Sequence, residues 1–285
     1  MNVYEYENPE AFLKMVEPVL LQNEVVNDLP LGILYSLAGN SAWEGNWEDQ
    51  PFMAYVGDDH KVKLILLMTP PHHLIVCGVV DALNQTIGLA TNYLISRKIS
   101  FPGVIGSQPL AEAFVKTYQE ATRKNASIQM NQRIYKLESV KPIKTSSGLL
   151  RTATEKEIDL ISRWIQDFDA EALEGEMSDE EAYKRAVKGI DRSEIFVWDD
   201  GEPVAMAKRS RPTKSGIVVT LVYTPPKFRG IGYASNCVAT LSQKLLDEGF
   251  AYCSLYTDLS NPTSNSIYQK IGYEPIADSI VYTII

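Results

Sequence analysis

Cysteine is scarce in this sequence: Cys77, Cys237 and Cys253 are the only three in 285 residues, and no two form a C-x-x-C pair. An odd number without paired spacing argues against a disulfide framework and for a reducing compartment. The three lie in apolar surroundings and read as small buried hydrophobes. Histidine is as rare. Of His60, His72 and His73, the last two are neighbours, and neighbours on an extended segment point to opposite faces. His60 alone completes no site, so no metal is expected, and surface or interface positions are expected for His72 and His73. No apolar run approaches the roughly 20 residues that cross a bilayer; the longest are Leu64–Met68 and Leu74–Val80. The opening residues have neither a basic nor an apolar leader region, which reads as a cytoplasmic protein without a signal peptide. Basic residues are also outnumbered, 27 Lys and Arg against 36 Asp and Glu, for a net charge of −9. Without a compensating basic face, that balance excludes a phosphate-tracking nucleic-acid binder or an anionic-membrane binder. It suits a cationic partner such as an amine.

What is present is a globular composition, 45% apolar and 22% charged, enough to bury a core without metals or disulfides. The clearest seam is Lys141-Pro142-Ile143-Lys144-Thr145-Ser146-Ser147-Gly148, where Pro, Ser and Gly make a linker. It divides the chain into residues 1–140 and 149–285. After it, Leu149–Arg151 reads as a short strand and Thr154–Glu157 as a helix cap, with Ile158, Ile161, Trp164, Ile165 and Phe168 at helical spacing. Asp167 to Glu181 is an acidic stretch, read mostly as a solvated helix face. Strands follow at 195–198, 204–208 and 217–223, then a helix at 233–246, a strand at 253–257, a helix at 264–271 and a strand at 280–284. The fold class is α/β with a mixed sheet. The first half repeats this order: a strand at Lys61–Met68 runs into Thr69-Pro70-Pro71, as Leu221–Tyr223 runs into Thr224-Pro225-Pro226. Helices at 83–95 and 109–121 and strands at 101–105 and 134–137 follow, which points to a tandem duplication.

The chemistry concentrates in Val222-Tyr223-Thr224-Pro225-Pro226-Lys227-Phe228-Arg229-Gly230-Ile231-Gly232-Tyr233-Ala234. A strand ends, a loop carries two glycines two apart, and a helix starts at once. Glycines allow backbone N–H groups to converge on one anion, and the helix adds its unpaired amides and positive end. This is a pyrophosphate cradle, or else a glycine-containing turn with a surface arginine. It is neither a G-x-G-x-x-G dinucleotide loop nor a Walker loop.

Arg229-Gly230-Ile231-Gly232-Tyr233-Ala234 resembles the R/Q-x-x-G-x-G/A acetyl-CoA loop of the GNAT superfamily of N-acetyltransferases. Asn261, Ser264, Tyr268, Gly272 and Tyr273 also fit that family's N-x-x-A/S-x-x-x-Y-x-x-x-G-F/Y pattern. The resemblance extends across residues 149–285. The whole chain is similar to bacterial predicted acetyltransferases in which a degenerate GNAT-like half precedes an intact one.

The resemblance implies acetyl-CoA as cosubstrate, with no metal. The backbone of Val222, Tyr223 and Thr224 would meet the pantetheine arm. The amides of Arg229, Gly230, Ile231, Gly232, Tyr233 and Ala234 would hold the pyrophosphate, with Ser235 assisting. Asn261 would contact the pantetheine or else cap its helix, and Tyr268 would direct its hydroxyl at the CoA sulfur or else pack in the core. Tyr273 reads as core. The reaction implied is direct attack of a primary amine on the thioester, with Tyr268 protonating the thiolate and titrating near or below pH 10. Glu171, Glu174 and Asp258 are candidate bases. Two alternatives stand beside this reading: an acyltransferase resembling glycine N-acyltransferases, with a larger acyl group, and a non-catalytic CoA-binding module. The first half lacks the cradle, so it is expected to bind no CoA. Neither the acceptor, a small molecule, peptide or protein, nor the oligomeric state is legible.

Overall fold

The same order of elements runs twice along the chain. The computed structural model describes residues 1–39, 50–58, 61–79, 83–173 and 175–285. The first series is β1 (Asn2–Tyr6), α1 (Pro9–Leu20), α2 (Asp28–Gly39), β2 (Phe52–Asp58), β3 (Lys61–Met68), β4 (Leu74–Gly78), α3 (Leu83–Ser96), β5 (Gly103–Ser107), α4 (Gln108–Thr122) and β6 (Ala126–Leu137). The second is β7 (Leu149–Thr152), α5 (Ile158–Ala172), α6 (Asp179–Asp191), β8 (Ile195–Asp199), β9 (Pro203–Ser210), β10 (Gly216–Tyr223), α7 (Tyr233–Asp247), β11 (Tyr252–Asp258), α8 (Pro262–Ile271) and β12 (Glu274–Ile284). Pairing repeats as well. β1 to β4 are successively antiparallel and β4 pairs parallel with β5. Likewise β7 to β10 are successively antiparallel and β10 pairs parallel with β11. The architecture is a tandem α/β fold with mixed sheets.

Strand pairing corrects the register of the repeat read from the sequence. Thr69-Pro70-Pro71 joins β3 to β4, whereas Thr224-Pro225-Pro226 follows β10, whose counterpart by order is β4. Three identical residues are too few to outweigh hydrogen-bonded order. The segment matching the glycine loop therefore follows Gly78, and its residues 80–82 lie outside the described ones.

The chain divides into two compact units, Met1–Ile134 with Ile276–Ile285, and Tyr135–Pro275. In the first, Ser279–Thr283 of β12 pair antiparallel with Gly103–Ser107 of β5, and Arg133 meets Asp278 at 2.7 Å. The apolar run of β3 is explained by burial on both faces. Leu64 and Leu66 point into a core with Phe114 and Val104, while Ile65 and Leu67 alternate into another with Phe12 and Leu31. In the second unit, Val197 and Met206 pack against Ile161, Trp164 and Ile190. On the other face Phe196, Trp198 and Val219 meet Leu241, Leu245 and Ile271. All three cysteines are buried, and burial pushes each thiol up to about 12. His72 is exposed, whereas His73 is part-buried, with Nε2 enclosed and without a partner among the described residues and its imidazole held low by burial. His60 lies outside the described residues.

The expected cap before α5 is a capping box. The backbone N–H of Thr154 donates to Glu157 Oε2 at 2.8 Å. Glu157 also receives Arg151 Nη1 at 2.9 Å and Nη2 at 2.6 Å, while Arg151 Nε donates to Asp199 at 2.8 Å. Arg151 and Glu157 together thus tie β7, the start of α5 and the end of β8, and the guanidinium holds the Glu157 pKa low. Glu157→Gln is expected to cost about 1–3 kcal/mol at neutral pH, read as a drop in melting temperature. Because the folded-state pKa is depressed, this stability is present above the ordinary carboxylate range and lost as pH falls through the folded value. The gap between wild type and variant should therefore close in acid; a gap that persists there would remove the charge from the explanation.

Candidate active site

β10 and β11 begin as a parallel pair at Gly216–Val218 and Tyr252–Ser254, and there the pairing stops, although the strands run on to Tyr223 and Asp258. The cause lies in β10. Its register against β9 shifts between Thr220 and Tyr223, and Leu221 has φ +52°. That is a β-bulge, which bends a strand and increases its twist. Beyond Val218, the edge of β10 facing β11 carries peptide groups without a strand partner, and such groups require partners.

The loop after β10 contains a short 3₁₀ turn, Pro226–Phe228, then Arg229 in extended conformation, then Gly230 and Gly232 at φ +81° and +102°. Side-chain-bearing residues rarely adopt these angles. A Cβ at Gly230 would meet nothing within 4 Å, and one at Gly232 only Asn236 Nδ2 at 3.7 Å. The protein's own packing therefore demands neither glycine; the backbone path and the open space above it do. Gly232 is the N-cap of α7, and no side chain caps the helix. Its first-turn amides, from Tyr233, Ala234 and Ser235, are left for an anion. Asn236, 5% exposed, braces the turn: its Nδ2 donates to Gly232 O at 3.0 Å and to Lys144 O at 3.1 Å. These features fit a pyrophosphate at the helix end and an extended amide arm along β10.

Side chains around the loop are already engaged. Arg229 Nε donates to Thr224 O at 2.8 Å, and Nη2 donates to Glu171 Oε2 at 2.6 Å. Glu171 Oε1 receives the Tyr223 hydroxyl at 3.4 Å. Tyr223 packs on Trp164 with ring centroids 6.2 Å apart, and burial, with Asp167 and Glu171 nearby, pushes its hydroxyl up to about 12. Tyr233 sends its hydroxyl to Asp200 at 2.5 Å, and Asp200 also receives Ser147 at 2.6 Å. Val222 is half-buried, and the Thr224 hydroxyl is buried without a partner among the described residues. Ile231 is exposed.

Asn261 caps α8, its Oδ1 accepting Ser264 N–H at 3.0 Å, which leaves its amide nitrogen on an exposed residue. Tyr268 is buried on the same helix, edge-on to Tyr273 with centroids 6.0 Å apart. Its hydroxyl has no hydrogen-bond partner among the described residues, and burial raises its pKa above the ordinary value. The sequence expectation of titration near or below pH 10 is corrected accordingly. Of the candidate bases, Glu171 is paired with Arg229, and Asp258 receives the Ser260 N–H at 2.8 Å and hydroxyl at 2.6 Å. Glu174 lies outside the described residues. Most of the described acidic residues between Asp167 and Glu181 are exposed, as expected, but Asp169 is 9% exposed and accepts Met177 N–H at 3.1 Å, shaping the turn between α5 and α6. The bulge at Leu221 and the brace at Asn236 had no signal in the sequence, because neither is a turn-forming residue type in a turn-forming pattern.

Among the described residues no helix is long and apolar enough to cross a membrane, and no group of three His, Cys, Asp or Glu gathers for a metal. Comparison with solved structures returns the same architecture along the whole chain. An acetyltransferase from the GNAT family of Colwellia psychrerythraea aligns at TM-score 0.60 and 14% identity, covering 100% of each chain. A GCN5-related N-acetyltransferase from Sphaerobacter thermophilus aligns at TM-score 0.65 and 13% identity, covering 98% of this chain and 94% of that one. A tandem GNAT protein from the clavulanic acid biosynthesis pathway aligns at TM-score 0.60 and 12% identity, covering 100% and 98%. At these identities the likeness is one of fold. No curated protein matches the chain. The family model described as the acetyltransferase (GNAT) family matches residues 159–273, the stretch that holds the bulge, the glycine loop and Tyr268. The chain therefore carries, in its second half, an acetyltransferase domain of the GNAT family.

Proposed function

We propose that the protein is an acetyl-CoA-dependent N-acetyltransferase that acts on a primary amine by direct transfer. The observation that carries the reading is the uncapped N-terminus of α7 behind two left-handed glycines, beside the point where β10 and β11 part. The amides from Arg229 to Ala234, with Ser235, hold the pyrophosphate. The free edge at Val222, Tyr223 and Thr224 takes the pantetheine amides as an added strand would. Asn261, whose Oδ1 is committed to the α8 cap, offers its amide nitrogen to the same arm.

Acetyl-CoA supplies the activated acyl group. The neutral amine attacks the thioester carbonyl carbon, the carbon–sulfur bond breaks, and the nitrogen gives its extra proton to solvent. A backbone N–H near Tyr223 or Thr224 steadies the charge developing on the carbonyl oxygen. Tyr268, kept neutral by burial, donates its proton to the departing thiolate and recovers one from water.

The test is release of CoA thiol from acetyl-CoA by the full-length protein, over a panel of alkylamines, diamines, amino sugars, amino acids and peptides with free amino termini. Turnover with at least one amine, faster from acetyl-CoA than from longer acyl-CoAs, is the expected result. CoA binding without turnover on any of them would leave a binding module, and preference for a long acyl chain would overturn the acetyl assignment.

A further inference from the structure

Tyr135 lies in β6, outside both sequence motifs and outside the stretch the family model matches. Its side chain is fully buried, at 0% exposure. Burying a hydroxyl is costly unless it is hydrogen-bonded, and this one is bonded twice, both times to α8. It donates to Asn265 Oδ1 at 2.9 Å and accepts from Gln269 Nε2 at 3.1 Å. Residues four apart share a helix face, and the residue three beyond the first lies beside them. Tyr135 therefore grips α8 on the face shared by Asn265 and Gln269, with Tyr268 beside Asn265 three residues on.

The grip continues toward β11. With Oδ1 held by Tyr135, the Asn265 amide is oriented so that Nδ2 donates to Asp258 O at 2.9 Å and Asn261 O at 2.7 Å. Asp258 ends β11 and Asn261 caps α8. A single phenol is thus linked through Asn265 to both the cap of α8 and the end of the parted strand. The Tyr268 ring is held separately, by Tyr273, whose hydroxyl bonds Ser242 at 2.8 Å. Packing fixes where the ring sits, and the Tyr135 network fixes how the helix presents it.

We propose that Tyr135, acting through Asn265, is a positioning residue for Tyr268. The inference rests on the reading of Tyr268 as proton donor given above. Tyr135→Phe keeps the ring and removes only the hydroxyl, which leaves Asn265 and Gln269 unpaired and frees α8 to rotate. Small displacements of a reacting group cost up to about a hundredfold; a fall in kcat of about tenfold is expected, with CoA affinity unchanged.

The decisive measurement is a double-mutant cycle in the full chain, using acetyl-CoA and the fastest acceptor of the amine panel, with CoA affinity by calorimetry. If Tyr135 works through the Tyr268 hydroxyl, Tyr135→Phe lowers kcat in the wild type and adds nothing in a Tyr268→Phe background. An equal fall in both backgrounds, a loss confined to CoA affinity, or no fall at all would each overturn the proposal. A wild-type rate for Tyr268→Phe alone would instead remove the reading on which it rests. Asn265→Asp is the second variant should Tyr135→Phe fail to fold. It keeps the acceptor for Tyr135 and loses both amide donors, and the same fall and the same non-additivity are expected.

Discussion

Gly232→Val is expected to raise the dissociation constant for CoA about a hundredfold or more, or to abolish binding. Two effects act together. Gly232 holds φ +102°, a conformation a β-branched residue adopts only with strain, so the turn that aims the α7 amides must change. Even with the turn kept, two methyl groups would stand at the uncapped helix end where the pyrophosphate is proposed to bind. Gly249 supplies the control. It stands just after α7 at φ +106°, where an added Cβ would meet nothing within 4 Å. Gly249→Val carries comparable backbone strain at the opposite end of the same helix, so it should lower stability while leaving CoA affinity near wild type. Arg229→Ala should cost less, about tenfold, because its guanidinium is half-exposed and engaged with Thr224 and Glu171. Calorimetric titration with CoA checks all three. Unchanged affinity in Gly232→Val would remove the cradle from the binding site.

Tyr268→Phe is expected to lower kcat by about 10²–10⁴, the range for a positioned acid, while acetyl-CoA affinity holds within a few-fold. The ring keeps its edge contact with Tyr273, so stability should barely move. The direction of the pH effect follows from burial. Burial disfavours the phenolate and raises the pKa of this hydroxyl, so its proton-bearing form persists to higher pH. The falling limb of the rate profile due to Tyr268 should therefore lie above pH 10, rather than at or below it, and should vanish in the phenylalanine variant. A variant that acetylates at the wild-type rate would pass leaving-group protonation to solvent and return Tyr268 to the core.

Local chemistry was legible without coordinates. The capping box at Thr154 and Glu157, the helix opening directly after Gly232 and the cap at Asn261 all depend on residues within a few positions of one another. Backbone angle and short-range hydrogen bonding are set by those neighbours, so residue type and spacing carry the information. The glycine pair and the Asn261–Tyr273 pattern were readable for the same reason, and together they marked the acetyltransferase domain.

Everything that required distant segments to meet was decided by the tertiary structure. The acidic stretch from Asp167 looked solvated, yet Asp169 turns inward because the chain reverses there and needs an acceptor for Met177. Arg229 read at most as a surface arginine, and its guanidinium found Glu171, 58 residues away. The last strand pairs with β5, in the first half of the sequence, and no periodicity within β12 records which edge it will join. The hold of Tyr135 on Asn265 spans 130 residues. Residue types and local spacing determined the fold class and the cradle. Strand register, the bulge at Leu221 and the partners of each buried polar group emerged only on packing, because a hydrogen bond between remote residues leaves no pattern in the order of either.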